Sequence, residues 1–186
     1  MMLLLSLWLS ASASIPVPVV NEQLQYYAVT GNDAQALRRS LNANGPLVAD
    51  GKRYDAYTRW KLRWHYHWNS DATGACALVS FDSVTDVQMT LPQWQIPERI
   101  PQALRRQWAA YLQALRTHEE GHAQIGRAAA DAMDNLMRTF GTRPDCHALD
   151  IELQARGKRL LQDFSGKDAE YDLRTQHGMT QGAVFP

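Results

Sequence analysis

The chain has 186 residues, of which 45% are hydrophobic and 20% charged, and its 19 basic and 19 acidic residues give a formal net charge of zero. This length is enough for one domain with a single good core. Because there is no excess of positive charge to attract phosphates, the composition gives no electrostatic case for binding nucleic acid or an anionic membrane.

The first residues predict a signal peptide. A short Leu-rich run is followed by the small residues Ser10-Ala11-Ser12-Ala13, which fit a cleavage site after Ala13. The run is far shorter than the roughly 20 apolar residues that span a bilayer. We therefore expect residues 1–13 to be removed, leaving a periplasmic or secreted domain over residues 14–186 with no membrane anchor. The alternative is an apolar N-terminus on a cytosolic protein.

The first half of the remaining chain predicts a small antiparallel sheet with one short helix. The elements in order are a strand over residues 25–30, a helix over 34–41 capped by Asp33, a strand over 58–68, and one or two strands over 76–90. In the strand over 58–68, aromatic residues alternate with basic ones. His65 and His67 share its basic face, so we expect both to face solvent.

The second half predicts two long helices. Apolar residues recur at helical spacing from Pro101 to Phe140, where Gly141 and Pro144 end the pattern. A second helix is expected over residues 145–171, with a break at Ser165-Gly166. Because the connection between the two helices is short, they should lie antiparallel. The sequence thus predicts an α+β domain whose sheet packs on one long helix and on an antiparallel C-terminal helix.

The long helix contains the motif H-E-x-x-H at residues 118–122. Histidines at i and i+4 leave one face of a helix about one turn apart, which suits a shared metal ion. Glu119 lies beside the pair, where a carboxylate could take a proton from a metal-bound water. His118 and His122 also fall on the apolar stripe, so the alternative is a pair of hydrogen-bonded core histidines. Gly121 costs about 1 kcal/mol in mid-helix, which suggests a close approach at that point.

A catalytic zinc ion takes three protein ligands and leaves a fourth position for water. No third histidine follows His122 within the helix, so the remaining ligand must come from elsewhere. The candidates are Glu170, Asp172 and His177, with His147 less favoured because it lies next to Cys146, which is expected to form a disulfide. We favour His177, because it lies in a short polar segment beside Gly178, where the chain can turn tightly over the site.

Two cysteines, Cys76 and Cys146, lie far apart in the sequence. If the chain is exported, one disulfide between them would connect the sheet to the helical half. In a cytosolic protein they would be two free, buried thiols.

The sequence resembles a bacterial family known as the domain of unknown function 922, described as predicted secreted zinc-dependent proteases. The residues that carry the resemblance are Tyr26-Tyr27, Gly31, Tyr57-Thr58 with Trp60, Cys76, Leu91-Pro92 with Trp94, the 118–122 motif, Cys146, and the tail from Tyr171 to Ala183. The resemblance implies metal binding and a peptidase activity with no known substrate.

The mechanism that we expect uses Zn²⁺ held by His118, His122 and His177, with Glu119 as general base and a peptide or protein as substrate. Tyr171 would donate a hydrogen bond to the oxyanion, and Asp172 would orient a ligand imidazole. In the rival assignment Glu170 or Asp172 is the ligand and His177 stabilises the oxyanion.

Two other functions remain open at this point. The first is an exported metal-binding or structural protein that has the same fold and no catalysis. The second is a hydrolase that acts on a non-peptide amide. The sequence does not indicate an oligomeric state.

Overall fold

The structure of the protein is a computed structural model that describes residues 18–49 and 51–185. It has the α+β architecture that the sequence predicts: three strands and two long helices, with a short helix between the first two strands. The elements are β1 (Val19–Val29), α1 (Ala34–Asn44), β2 (Tyr57–Ser70), β3 (Cys76–Trp94), α2 (Gln102–Arg138) and α3 (Cys146–Thr175), followed by a 3-10 turn over Met179–Gln181. The predicted signal peptide lies outside the described residues. None of the helices within the described ranges has the length and apolar character needed to cross a bilayer.

The sheet is mixed, with strand order β1-β3-β2. β2 and β3 form the expected antiparallel pair, in which Tyr57 lies opposite Thr90. β1 pairs with β3 in parallel, with Val29 opposite Trp94, so the prediction of a wholly antiparallel sheet is corrected for this strand. The reason is topological: β3 returns from the hairpin into the space between β1 and β2, and it therefore runs in the direction of β1.

Side-chain alternation along β2 follows the predicted pattern. The aromatic face packs toward the helices, where the Trp60 ring fills the space beside Gly126 and the Trp64 ring fills the space beside Gly157. Close packing of this kind requires glycine at the two helix positions. His65 is exposed on the opposite face, where its Nδ1 atom lies within hydrogen-bond distance of Asp82 Oδ2, at 3.2 Å. The expectation that His65 and His67 face solvent is thus confirmed.

Capping residues in the sequence explain where α1 and α3 begin. Asp33 caps α1 by accepting a hydrogen bond from the backbone N–H of Ala36 at 2.7 Å, as predicted. Asp145 caps α3 in the same way through Ala148. The predicted break at Ser165-Gly166 is wrong, because α3 is continuous through both residues. A glycine costs a helix only about 1 kcal/mol, too little to end one that packs along its length.

Two apolar clusters lie on either side of the middle of α2. One joins the start of α2 to α1, the sheet and the tail, and contains Trp94, Trp108, Tyr111, Leu115 and Phe185. The other joins the end of α2 to α3 and β2, and contains Leu62, Ala129, Met133, Leu149 and Leu153. The segment of α2 between these clusters is buried but carries His118, Glu119 and His122. The fold therefore encloses a polar site between two halves of its core.

The predicted disulfide is present. Cys76 and Cys146 are bonded across a sequence separation of 70 residues, with 5.0 Å between their Cα atoms. Next to it, the backbone groups of Cys76 and Arg143 exchange hydrogen bonds of 2.8 Å. The start of β3 is thus tied to the start of α3, which fixes the direction in which α3 returns along α2.

Candidate metal centre

The buried part of α2 provides three of the site residues. His118 and Glu119 are each 4% exposed and His122 is 6% exposed. Spacing of i and i+4 brings the two imidazole rings edge to face, with their centroids 4.8 Å apart. Burial of this many polar groups is costly unless they find partners.

The facing helix α3 supplies two carboxylates one turn apart, Asp168 and Asp172. Asp172 Oδ1 lies 3.1 Å from His118 Nε2 and 3.1 Å from His122 Nε2, and the two Nε2 atoms are 3.2 Å apart. The three atoms form an almost equilateral triangle. Ligands at about 2.05 Å from a tetrahedral zinc ion would be about 3.3 Å apart, so this triangle has the size of one face of a zinc site.

The outer nitrogens of both imidazoles are held by acceptors. His122 Nδ1 lies 2.9 Å from Asp168 Oδ1, and His118 Nδ1 lies 3.0 Å from the side-chain oxygen of Gln181. Since both partners are acceptors, the contacts favour the tautomer that carries its hydrogen on Nδ1, and in neutral rings of this tautomer both Nε2 atoms present lone pairs. Two lone pairs and the Asp172 carboxylate oxygen then converge on one point, which requires a proton or a metal cation between them.

The pKa shifts agree with a site that attracts cations. Burial alone would lower the pKa of His122, but hydrogen bonds to Asp168 and Asp172 outweigh it and raise the pKa to about 10. Burial also opposes ionisation of Asp172, yet hydrogen bonds from His118 and His122 keep the pKa of this carboxyl well below its usual range. The site thus stabilises its anionic and cationic groups together.

Glu119 differs from the other carboxylates of the site. Burial raises its pKa, an effect that the nearby Thr58 hydroxyl and the two histidines only partly oppose. Among the described residues, its buried Oε2 atom makes no hydrogen bond of standard length and angle, and neither does the nearby Thr58 hydroxyl. An unsatisfied buried acceptor is uncommon and calls for a ligand or a proton donor that enters the site.

Gly121 has a packing role that explains its place in the helix. A Cβ atom at this position would lie 2.2 Å from the Tyr171 hydroxyl and 2.3 Å from its Cζ atom. The Tyr171 ring stacks on His118 at 5.1 Å with an interplanar angle of 10°. Its hydroxyl accepts a hydrogen bond of 3.1 Å from the Gln181 side-chain amide. The close approach predicted at Gly121 is therefore made by a tyrosine that supports His118.

The site opens into a cavity of about 780 Å³. Its lining includes the two histidines, Glu119, Asp168 and Asp172, together with residues of the loop between α1 and β2. A space of this size holds several residues of a peptide or a ligand of similar size. Tyr171 is not part of this lining, so its predicted hydrogen bond to an oxyanion stays a prediction that its position does not favour.

His177 lies at the edge of this arrangement. It is 56% exposed, and its Nδ1 atom is 3.3 Å from Asp172 Oδ1. The group of possible metal ligands found within the described residues consists of His118, His122 and Asp172, and does not include His177. Its role as third ligand therefore stays a prediction, and the geometry favours Asp172, the rival candidate. Glu170 is exposed on another face of α3.

Two residues of the site, Asp168 and Gln181, were not anticipated from the sequence. Asp168 precedes Asp172 by four residues on a predicted helix. This spacing could have predicted that the two carboxylates lie on one face of the helix. Gln181 belongs to the tail, and only a folded structure reveals that the 3-10 turn brings it back to His118.

The fold and the site together define an α+β protein with a His-His-Asp candidate metal centre between two long helices, one of which is tied to the sheet by a disulfide. A family model described as "Bacterial protein of unknown function (DUF922)" matches residues 24–178, and the chain belongs to this family. Searches of curated proteins and of solved structures found no match.

Proposed function

We propose that the protein is an exported zinc metallopeptidase whose metal is held by His118, His122 and Asp172. The observation that carries the proposal is the triangle of two lone pairs and one carboxylate oxygen, with sides of 3.1 to 3.2 Å, which matches one face of a tetrahedral zinc site. Bound zinc would supply Lewis acidity, which makes water nucleophilic near neutral pH and polarises a carbonyl group. Two imidazoles with one carboxylate are a donor set that suits this ion.

The residues around the triangle would hold the ligands in place. Asp168 and Gln181 fix the Nδ1 hydrogens, so that both Nε2 atoms point toward the ion. Tyr171 stacks on His118 and keeps the ring from turning. These contacts support a site that is organised before any ligand enters, which lowers the cost of binding.

Glu119 is the general base in this proposal. It lines the cavity beside the two histidines, and one of its carboxylate oxygens is free to accept the proton of a water molecule. The same carboxyl would return that proton to the leaving amine. His177, exposed at the cavity edge beside Asp172, would donate to the developing oxyanion.

Export is part of the proposal. The disulfide between Cys76 and Cys146 is compatible with an oxidising, extracellular location. A peptide or protein is the proposed substrate because the cavity is large enough for several residues.

Metal analysis and peptide cleavage test the proposal together. Purified protein should hold one equivalent of zinc, which is lost in His122→Ala and Asp172→Ala but retained in His177→Ala. A quenched-fluorescent peptide library should be cleaved by the wild type, and Glu119→Gln should lose cleavage while it retains zinc. Zinc binding without cleavage of any peptide would instead indicate the exported metal-binding protein. A wild-type protein that takes up no zinc after reconstitution would refute both functions.

A further inference from the structure

Two arginines line the same cavity as the metal-site residues. Arg38 comes from α1, and Arg53 comes from the loop between α1 and β2. The same lining contains Glu119, Asp168 and Asp172. The cavity therefore combines an acidic, metal-binding group with two basic side chains.

The positive charge of Arg38 is balanced by a neighbouring carboxylate. Its guanidinium pairs with Asp55, which also accepts a hydrogen bond of 2.5 Å from the Tyr111 hydroxyl. The backbone carbonyl of Asp55 accepts a further bond of 2.7 Å from Tyr27. This network is partly buried, and it fixes the base of the loop against the core.

Arg53 is different, because no carboxylate of the described residues lies within 4.0 Å of its guanidinium. Among the described residues, its guanidinium donates one hydrogen bond, from Nη1 to the backbone carbonyl of Gly45 at 2.6 Å. The remaining donors of this exposed side chain are available to a ligand.

The loop holds Arg53 in a defined place. Arg53 pairs with Leu47 in an isolated antiparallel bridge, and Tyr54 N–H donates to the carbonyl of Pro46 at 3.1 Å. The Tyr54 ring contacts His177 with 5.8 Å between ring centroids, which connects the loop to the metal side of the cavity. The backbone bridge and the bond from Nη1 to the Gly45 carbonyl limit the positions that the guanidinium can take, which lowers the entropy that it loses when it binds an anion.

We propose that Arg53 is a specificity-determining residue that binds a carboxylate of the peptide substrate while the scissile bond lies at the metal centre. The proposal rests on the proposed peptidase function and names the substrate class: peptides with a carboxylate near the cleaved bond. The carboxylate is either the free C-terminus or an acidic side chain. A guanidinium is well suited to either, since it forms two parallel hydrogen bonds with a carboxylate.

Peptide binding to the zinc-loaded Glu119→Gln protein tests this inference without any need for cleavage. The probes are N-acetylated hexapeptides in matched pairs, a free C-terminus against a C-terminal amide, and Glu against Gln at each internal position. Dissociation constants come from ultrafiltration and mass spectrometry. We expect one pair to favour the carboxylate about tenfold, a ratio typical of one charge-assisted contact. The pair that shows the preference identifies the source of the carboxylate.

A second substitution assigns the preference to Arg53. Added to the Glu119→Gln protein, Arg53→Gln should reduce the tenfold ratio to about one and leave the binding of neutral peptides unchanged. The matched control is Arg106→Gln, an exposed arginine on α2 outside the cavity lining, which should keep the ratio. An unchanged ratio in Arg53→Gln, no carboxylate preference, or no binding of any peptide would overturn the inference. Arg53-dependent binding without wild-type cleavage would instead refute only the peptidase activity.

Discussion

Substitution of Gly121 by alanine tests whether this glycine is needed for close packing against Tyr171 or only affects the stability of the helix itself. In an exposed helix, this change stabilises by about 1 kcal/mol, because glycine has the larger conformational entropy to lose. At Gly121, however, the new Cβ would lie 2.2 Å from the Tyr171 hydroxyl and 2.3 Å from Cζ. Since both atoms belong to a rigid ring held against His118, the ring must move.

Overpacking of this kind costs typically about 1–3 kcal/mol. After subtraction of the helix gain of about 1 kcal/mol, we expect Gly121→Ala to lower the free energy of unfolding by up to about 2 kcal/mol, and the midpoint of thermal unfolding by up to about 8 °C for a domain of this size. Zinc affinity should fall as well, because displacement of Tyr171 disturbs both His118 and the Gln181 that holds its Nδ1 atom.

The matched control is Gly166→Ala. This glycine lies in α3, and a Cβ atom there would meet nothing within 4 Å. It should raise stability by about 0.5–1 kcal/mol and leave zinc affinity unchanged. Both variants can be followed by calorimetry and by zinc titration against a chelating dye. If Gly121→Ala proved as stabilising as Gly166→Ala with unaltered zinc affinity, the assigned contact with Tyr171 would be refuted.

Three further predictions concern the metal centre and the disulfide. Asp168→Asn should weaken zinc binding about 10–100-fold in a dye competition assay while it retains one equivalent, because it only orients His122; complete loss of zinc would make Asp168 a ligand. Replacement of both Cys76 and Cys146 by serine should cost about 4 kcal/mol in urea unfolding, from closure of the 70-residue loop; an unchanged midpoint would refute that estimate. Zinc binding at pH 7 should release protons, because the pKa of His122 before metal binding is raised to about 10 and a ligand must be deprotonated. The affinity should therefore rise with pH, which titration calorimetry in buffers of different ionisation enthalpy measures.

The long helix shows how much of the fold could be predicted from the sequence. Its apolar positions recur at one helical spacing from residue 104 to 140, and the two histidines fall on the same stripe, so both the helix and the burial of its motif follow from local information. The pairing of the strands cannot be predicted from local information in this way. β1 is parallel to β3 because the later hairpin places β3 beside it, and the residue pattern of β1 alone does not reveal this pairing.

The candidate site divides in the same way. His118, Glu119 and His122 were predictable because their spacing alone brings them together. The third ligand was not, since it depends on how far α3 extends along α2. The sequence favoured His177 because it lies in a short polar segment that can turn tightly beside Gly178, but the packing of α3 on α2 brings Asp172 Oδ1 within 3.1 Å of both Nε2 atoms. Asp168, four residues earlier, comes into contact with His122 for the same reason.

The location of the site between the two apolar clusters has an energetic consequence. His118, Glu119 and His122 interrupt an otherwise apolar helix face, and each is at least 94% buried. Most of their polar atoms find partners on α3 or in the tail, but Glu119 Oε2 does not. Burial of these polar groups destabilises the fold, so contacts elsewhere must keep α3 in place. Two such contacts are the disulfide at one end of α3 and the buried Phe185 beyond its other end. The two anchors lie on opposite sides of the histidine pair. The α2–α3 register, and with it the position of Asp172, is therefore set by groups outside the metal centre, which is the arrangement expected of a preorganised site.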